Sequence, residues 1–523
     1  MPFFDFHCHP SLKQLLAPPG TTLTPWDQLS VKLNIGKLFG RETQIGINTI
    51  FNGVMNSQSN LMQMHKANVN LAGVIIYSIE NRIAQGILLR KAANSGKINL
   101  LDPEIMRQLS NGNSYYEWTK KTMDALVNNP HPANASNGKP AFKFINSINE
   151  YNPDDAGTIH GLLILEGLHN FCNDPFSANG EADFENNFDD FRQRYGVRIF
   201  AVNIPHMQDF PFANHAFGMQ FIKEDLFFPE RRGLPDWGKR MIKKMYDNDI
   251  LIDIKHMSYF TRTQLIAQRS QLGFDDRPLI CTHAGVTGLH SNDRYHRLLE
   301  RPKRTDGVWK IKHLKSTGLV PDSAFNHSSI NLYDDEIVAI LNSGGLIGIS
   351  LDQRILGFPI ENIAYQLNDL PFDHEYIADA EQDIFFRGFN DPGDIAPWLD
   401  MSNVLSGDDA LNQGEITMEV HYSYFLNQLL HILDVAKRNR LDLNKVSRQI
   451  CIGSDFDGLI NPLDVCPDVT SLEAFKREIR RRLQLKRTLW KSLSFSKSDL
   501  DIDALVDGLF FNNAFEFLKK HFV

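Results

Sequence analysis

Two histidines, each closing a short apolar run, constrain this chain more than any other feature. Residues 251–258 read LIDIKHMS and residues 278–285 read PLICTHAG, and the runs end at His256 and His283. The span between them contains TRTQLIAQRSQ, which suits an amphipathic helix. The unit therefore reads strand–helix–strand, with a connection long enough for a parallel crossover. Successive parallel strands that each deliver an imidazole at the C-terminal end predict a site on the rim of a (β/α)8 TIM barrel. One strand-end histidine reads as structural; two in adjacent units predict chemistry.

The same grammar recurs along the chain. MPFFDFHCHP opens with a phenylalanine-rich strand that carries His7 and His9 two apart. Residues i and i+2 of a strand share a face, so both imidazoles reach one ion, and imidazole suits zinc and its first-row neighbours. A second strand is expected over residues 72–78 (AGVIIYS). A third, in IHGLLILEGLHNF, ends at Glu166. A carboxylate at the end of an apolar strand must be paired, hydrogen-bonded or metal-bound, because burying it alone is costly. Beside these histidines a ligand role is expected, with His169 as a supporting partner. Residues 197–202 form a further strand, followed by a loop that offers His206 as a substrate donor. A helix from about Asp334, a Gly344-Gly345 stop and a strand over 346–351 continue the alternation. Leu426, Leu429, Leu430 and Leu433 mark an amphipathic helix. The last strand, 450–452, leads to Asp455, placed to move a proton on water, with Asp457 as its rival.

Composition removes other classes. The 54 basic and 63 acidic residues give a net charge of −9, with no extended basic run, so neither nucleic acid nor an anionic membrane is an expected partner. Five cysteines with no CxxC pair make no disulfide framework, and Cys8, Cys172, Cys281 and Cys451 read as small buried hydrophobes. No secretory leader or membrane-length apolar run is apparent, so a cytoplasmic home is expected. No GxSxG, GxxxxGK[ST] or GxGxxG word competes for the chemistry. One barrel is expected over 1–523, with insertions at about 80–150, 296–329 and 355–410. The stretch 295–330 reads as an inserted loop with a solvated basic run. The irregular stretch 353–412 suits a lid or a contact in a homo-oligomer.

His7, His9, His256, His283 and Glu166 exceed what one four-coordinate zinc needs. With the carboxylate bridging, they suit two divalent metal ions that share a hydroxide, most simply Zn2+.

Taken together, the words resemble the amidohydrolase superfamily and, more closely, its membrane (renal) dipeptidase family of zinc peptidases. LEGLH is similar to that family's EGGH, LIDIKHMS to IDLSHVS, PLICTHAG to PVIFSHS, and IGSDFDG to GGDFDG. The resemblance implies that Glu166 bridges two metals, with His256 and His283 on one and His7 on the other. It implies that His206 meets the substrate carbonyl, with Pro211 and Ala213 where the family has its Pro and Ala. Arg294, eleven residues past His283, takes the place of the arginine that grips a substrate carboxylate. Asp455 takes that of the proton carrier. The family usually has His-x-Asp at the first strand; His9 departs from it and removes one negative charge from the site. A small-molecule or dipeptide substrate is the expected partner. The alternatives are hydrolysis of another small amide, lactone or phosphoester, or a non-catalytic barrel serving as a binding scaffold.

Overall fold

The computed structural model describes residues 2–17, 20–30, 53–85, 102–112, 114–218, 225–313, 318–321, 323–357, 374–397 and 418–523. Parts of the expected insertions at 80–150 and 355–410 lie outside these residues. In chain order the strands are β1 (Phe3–Cys8), β2 (Val69–Ile76), β3 (Ala141–Phe144), β4 (Thr158–Leu165), β5 (Ile199–Asn203) and β6 (Leu251–Asp253). They continue with β7 (Ile280–Ala284), β8 (Lys303–Thr305), β9 (Val308–Lys312), β10 (Leu346–Ile349), β11 (His374–Ala378) and β12 (Ile450–Ile452).

Eight of these build a parallel barrel in the order β1-β2-β4-β5-β6-β7-β10-β12. Its seam lies between the last strand and the first. There Cys8 and Phe456 form a parallel bridge, the Asp455 N–H donates to the His7 carbonyl at 2.9 Å, and the His9 N–H donates to the Phe456 carbonyl at 2.8 Å. The extra strand β3 pairs with the first half of β4, Ala141 opposite Thr158, while β5 takes the second half, Leu163 opposite Ile199.

Strand periodicity sorts the core. In β4, Leu163 and Leu165 enter one apolar cluster while Leu162 and Ile164 enter another. In β2, Val74 and Ile76 part from Ile75 in the same way. Both faces are apolar because parallel strands in a barrel are covered on both sides. The crossover helix Tyr259–Gln271 starts where the Ser258 hydroxyl accepts the Thr261 N–H at 3.1 Å. Leu426, Leu429, Leu430 and Leu433 are all buried on the helix Met418–Arg438.

The stretch 295–330 is more than a loop. Its strands β8 and β9 join through Asp306-Gly307, both at positive φ, and β9 pairs antiparallel with β11 from the next insertion. An Asp-Gly step with both residues left-handed is the two-residue hairpin turn whose twist suits paired strands. The three strands enclose a small apolar cluster of their own, including Leu298, Trp309, Ile311, Ile377 and Phe386. The insertion sheet docks on the barrel rim. The buried Glu381 side chain accepts the Gly233 N–H at 2.8 Å and the Ser258 hydroxyl at 2.9 Å, two residues past His256.

Candidate metal centre

The strand ends deliver seven of the eight expected site residues to one place. Glu166 is its hub. Its Oε1 lies 3.2 Å from His256 Nε2, 3.4 Å from His7 Nε2, and 3.7 Å from both His206 Nε2 and His283 Nε2. Its Oε2 lies 3.4 Å from His9 Nε2. Asp455 Oδ1 joins from the seam, 3.3 Å from His9 Nε2 and 3.9 Å from His7 Nε2. His256 and His283 turn to the same point, with their Nε2 atoms 2.8 Å apart.

Local backbone sets these directions. His7 in the first strand and His9, one residue past its end, point into the cluster, whereas Cys8 turns its thiol towards the Gly73 carbonyl. His256 and Asp455 both hold left-handed backbone, at φ 68° and 63°. Such strain in non-glycine residues collects at functional sites. Gly167, at φ 92°, follows Glu166, and a Cβ there would sit 2.3 Å from the His169 ring. Only glycine fits that turn. His169 itself does not brace Glu166. It stacks on Phe210 and its Nε2 meets the Ser78 carbonyl at 2.7 Å. The brace is Asn170, whose Nδ2 donates to the Glu166 carbonyl at 2.8 Å.

The electrostatics suit ligation. Burial pushes His256 and His283 well below their ordinary range, and neighbouring His206 and His7 push the same way, so both are neutral at pH 7. Burial alone would raise Glu166, but the His206 and His7 imidazoles hold it well below the usual carboxylate range. The His7 and His9 Nε2 atoms and Glu166 Oε1 are buried and have no hydrogen-bond partner. A buried polar atom left without a partner is costly, and a cation satisfies all of them. Within the cluster the ligand atoms of His7, His9 and Glu166 lie within 4.8 Å of one another, and so do those of Glu166, His206 and His256. Imidazole and carboxylate together fit a divalent ion of the zinc kind.

Arg294 stands apart. It is buried, with its guanidinium 4.7 Å from the Tyr259 ring centre and 5.5 Å from that of Phe385. Its Nη1 and Nη2 donate to the carbonyls of Ser291 and Ile384. Asp457 is no rival to Asp455. It is tied down by the N–H groups of Gln58 (2.8 Å) and Ser59 (2.7 Å) and by Lys13 Nζ (2.8 Å).

Three further supports were not read from the sequence. Glu80 accepts the His206 Nδ1–H at 2.9 Å, the Met207 N–H at 3.0 Å and the Tyr77 hydroxyl. Its signal was present, since AGVIIYSIE is an apolar run ending in a carboxylate, as at Glu166. Asp253 and Thr282 lie behind His7 and His283, and nothing in an isolated Asp or Thr announces that.

A parallel barrel that gathers imidazoles and carboxylates around one point on its rim defines a metal-dependent hydrolase. Residues 135–317, which carry Glu166, His206, His256, His283 and Arg294, match the model of the membrane dipeptidase family, peptidase family M19. Among solved structures, the probable dipeptidase PvdM from Pseudomonas aeruginosa is similar in fold. It is 13% identical, with 100% of this chain and 95% of that chain covered and a TM-score of 0.50. A metallo peptidase from Rhodobacter sphaeroides, liganded with a phosphinate mimic of the dipeptide L-Ala-D-Ala, is 13% identical over 99% of each chain, with a TM-score of 0.48. No curated protein sequence matches the chain.

Proposed function

We propose that this chain is a binuclear zinc dipeptidase. One observation carries the reading: five imidazole Nε2 atoms lie within 3.7 Å of the Glu166 carboxylate oxygens. His256 and His283 would hold one ion, His7 and His9 the other, and Glu166 both. When bound, such ions supply a nucleophilic water at neutral pH and polarise the amide carbonyl.

The chain's own groups account for the rest. His206 is pushed up to about 9, because Glu166 and Glu80 outweigh its burial. Its Nε2–H faces the cluster as a cationic donor for the negative charge that develops on the carbonyl oxygen. Asp455 takes the proton from the water as it adds to the carbonyl carbon. When the C–N bond breaks, Asp455 passes that proton to the leaving amine. Five free, buried cysteines support a cytoplasmic home. No helix among the described residues is long and apolar enough to cross a membrane.

A second reading has its own support. Both Arg294 Nη atoms already meet backbone carbonyls, which favours a small amide with no free carboxylate at that position. The test is to reconstitute the protein with zinc, count bound ions and assay a panel of dipeptides against their C-terminal amides. Two ions per chain, with hydrolysis lost in His256→Ala and Asp455→Asn, is the expected result. Unchanged rates in both variants would remove the mechanism. An Arg294→Ala variant with an unchanged KM for free dipeptides selects the second reading.

A further inference from the structure

We propose that Thr282 is a positioning residue shared by two metal-facing histidines: its one hydroxyl holds both His7 and His283 in the Nδ1–H form, leaving both Nε2 lone pairs free. The inference rests on the metal-site reading above and concerns how the chain prepares its ligands.

The argument is one of hydrogen-bond valence. Thr282 Oγ1 lies 2.7 Å from His7 Nδ1 and 3.1 Å from His283 Nδ1. It also donates to Asp253 Oδ2. A hydroxyl has one hydrogen and two acceptor lone pairs. With its hydrogen given to Asp253, it can only accept from the two rings, so each ring must place a proton on Nδ1. In the neutral form that binds a metal each ring carries a single N–H, so a proton on Nδ1 leaves Nε2 bare in both. Those two Nε2 atoms face Glu166 Oε1, at 3.4 and 3.7 Å. The opposite tautomers would set ring lone pairs against hydroxyl lone pairs in a fully buried place.

Asp253 is committed as the anchor. Its Oδ1 accepts the N–H of Lys255 at 3.0 Å and that of Thr282 at 3.3 Å, and its Oδ2 takes the hydroxyl. Its ligand atoms come within 4.8 Å of those of His7 and His283, but these bonds make it a support for the ligands and not a ligand itself. The other imidazoles are set differently. His206 is fixed by Glu80, while the Nδ1 atoms of His9 and His256 are buried with no hydrogen-bond partner. Thr282 therefore spans the two proposed metal positions, with His7 on one and His283 on the other.

The test is zinc affinity, measured by competition with a chromogenic chelator, in Thr282→Val, Thr282→Ser and Thr282→Ala. Losing such an outer partner costs about 10- to 100-fold in affinity, so valine and alanine should lose that much while serine stays near the parent. Equal affinity in all four proteins overturns the proposal, as does a loss in serine equal to that in alanine. Should the valine variant fail to fold, the serine–alanine pair decides. A second readout needs no metal: 15N resonances of His283 in the metal-free protein should show a protonated Nδ1 and a bare Nε2. The reverse pattern overturns the tautomer assignment. Failure of the parent to bind zinc would instead remove the metal-site reading and leave this readout standing.

Discussion

Glu80 and His206 form a buried ion pair, with the carboxylate oxygen 2.9 Å from the imidazole Nδ1. Burial opposes the charge on each partner, yet Glu80 is held down to about 2 by the His206 charge, and His206 rises to about 9. The cationic imidazole persists below its raised value and is lost above it. Glu80→Gln should therefore lower kcat by about 10- to 100-fold and move the alkaline limb of the rate profile to lower pH. Steady-state kinetics from pH 6 to 10 on a good dipeptide substrate check both. An unshifted alkaline limb would separate Glu80 from the chemistry.

Two aspartates two residues apart should part company on mutation. Asp455→Asn is expected to lower kcat by about a hundredfold or more with little change in unfolding midpoint. Asp457→Asn leaves the buried Lys13 ammonium without its carboxylate partner. Breaking a buried pair in this way costs about 3–5 kcal/mol. Urea unfolding of the two variants, alongside their rates, tells the roles apart.

His327 predicts an acid-side loss of stability. Burial, and then the neighbouring His313, press it down to about 3, and its Nδ1 meets the Thr287 carbonyl at 2.6 Å. Between about pH 6.5 and 3 the unfolded chain binds a proton here that the folded chain refuses. Stability then falls with falling pH by up to about 1.4 kcal/mol per unit from this group. His327→Gln should flatten the pH dependence of the urea midpoint between pH 7 and 4 relative to the parent. Parallel curves would refute the assignment.

Arg262 and Glu336 tie the crossover helix after His256 to the helix Asp334–Asn342. The guanidinium Nε and Nη2 meet the two carboxylate oxygens at 2.6 and 3.0 Å, and Nη1 reaches the Met257 and Ser329 carbonyls. Glu336→Leu strands a buried cation and should cost about 3–5 kcal/mol. The double variant Arg262→Met/Glu336→Leu should recover part of that loss. A double-mutant cycle in urea measures the coupling.

The barrel was legible because its strands announce themselves twice, by apolar runs and by the polar group that ends each. His7, Glu166, His256 and His283 share that signature, and all four converge. What the words could not carry was the hydrogen-bond partner of each of these residues. Asn170, rather than His169, braces Glu166, since a turn decides which neighbour reaches back. Thr282 and Asp253 do their work across strands, a relation absent from local sequence. The hairpin at Asp306-Gly307 was hidden for another reason. Lys303, Arg304, Lys310 and Lys312 stand in its two strands, and their charge masked the apolar Val308, Trp309 and Ile311. Arg294 fits a familiar spacing, yet its hydrogen bonds run to Ser291 and Ile384, because an insertion closes over it.

The seam of the barrel joins the first strand to the last, and the candidate centre straddles it. During synthesis the ribosome releases all five imidazoles and Glu166 well before Asp455 emerges. A nascent chain thus holds these imidazoles and Glu166 while it lacks both Asp455 and the strand that closes the barrel beside His7. Asp455 reaches its place 3.3 Å from His9 Nε2 only once the last strand has followed, so the cluster is complete only in a chain made through residue 455.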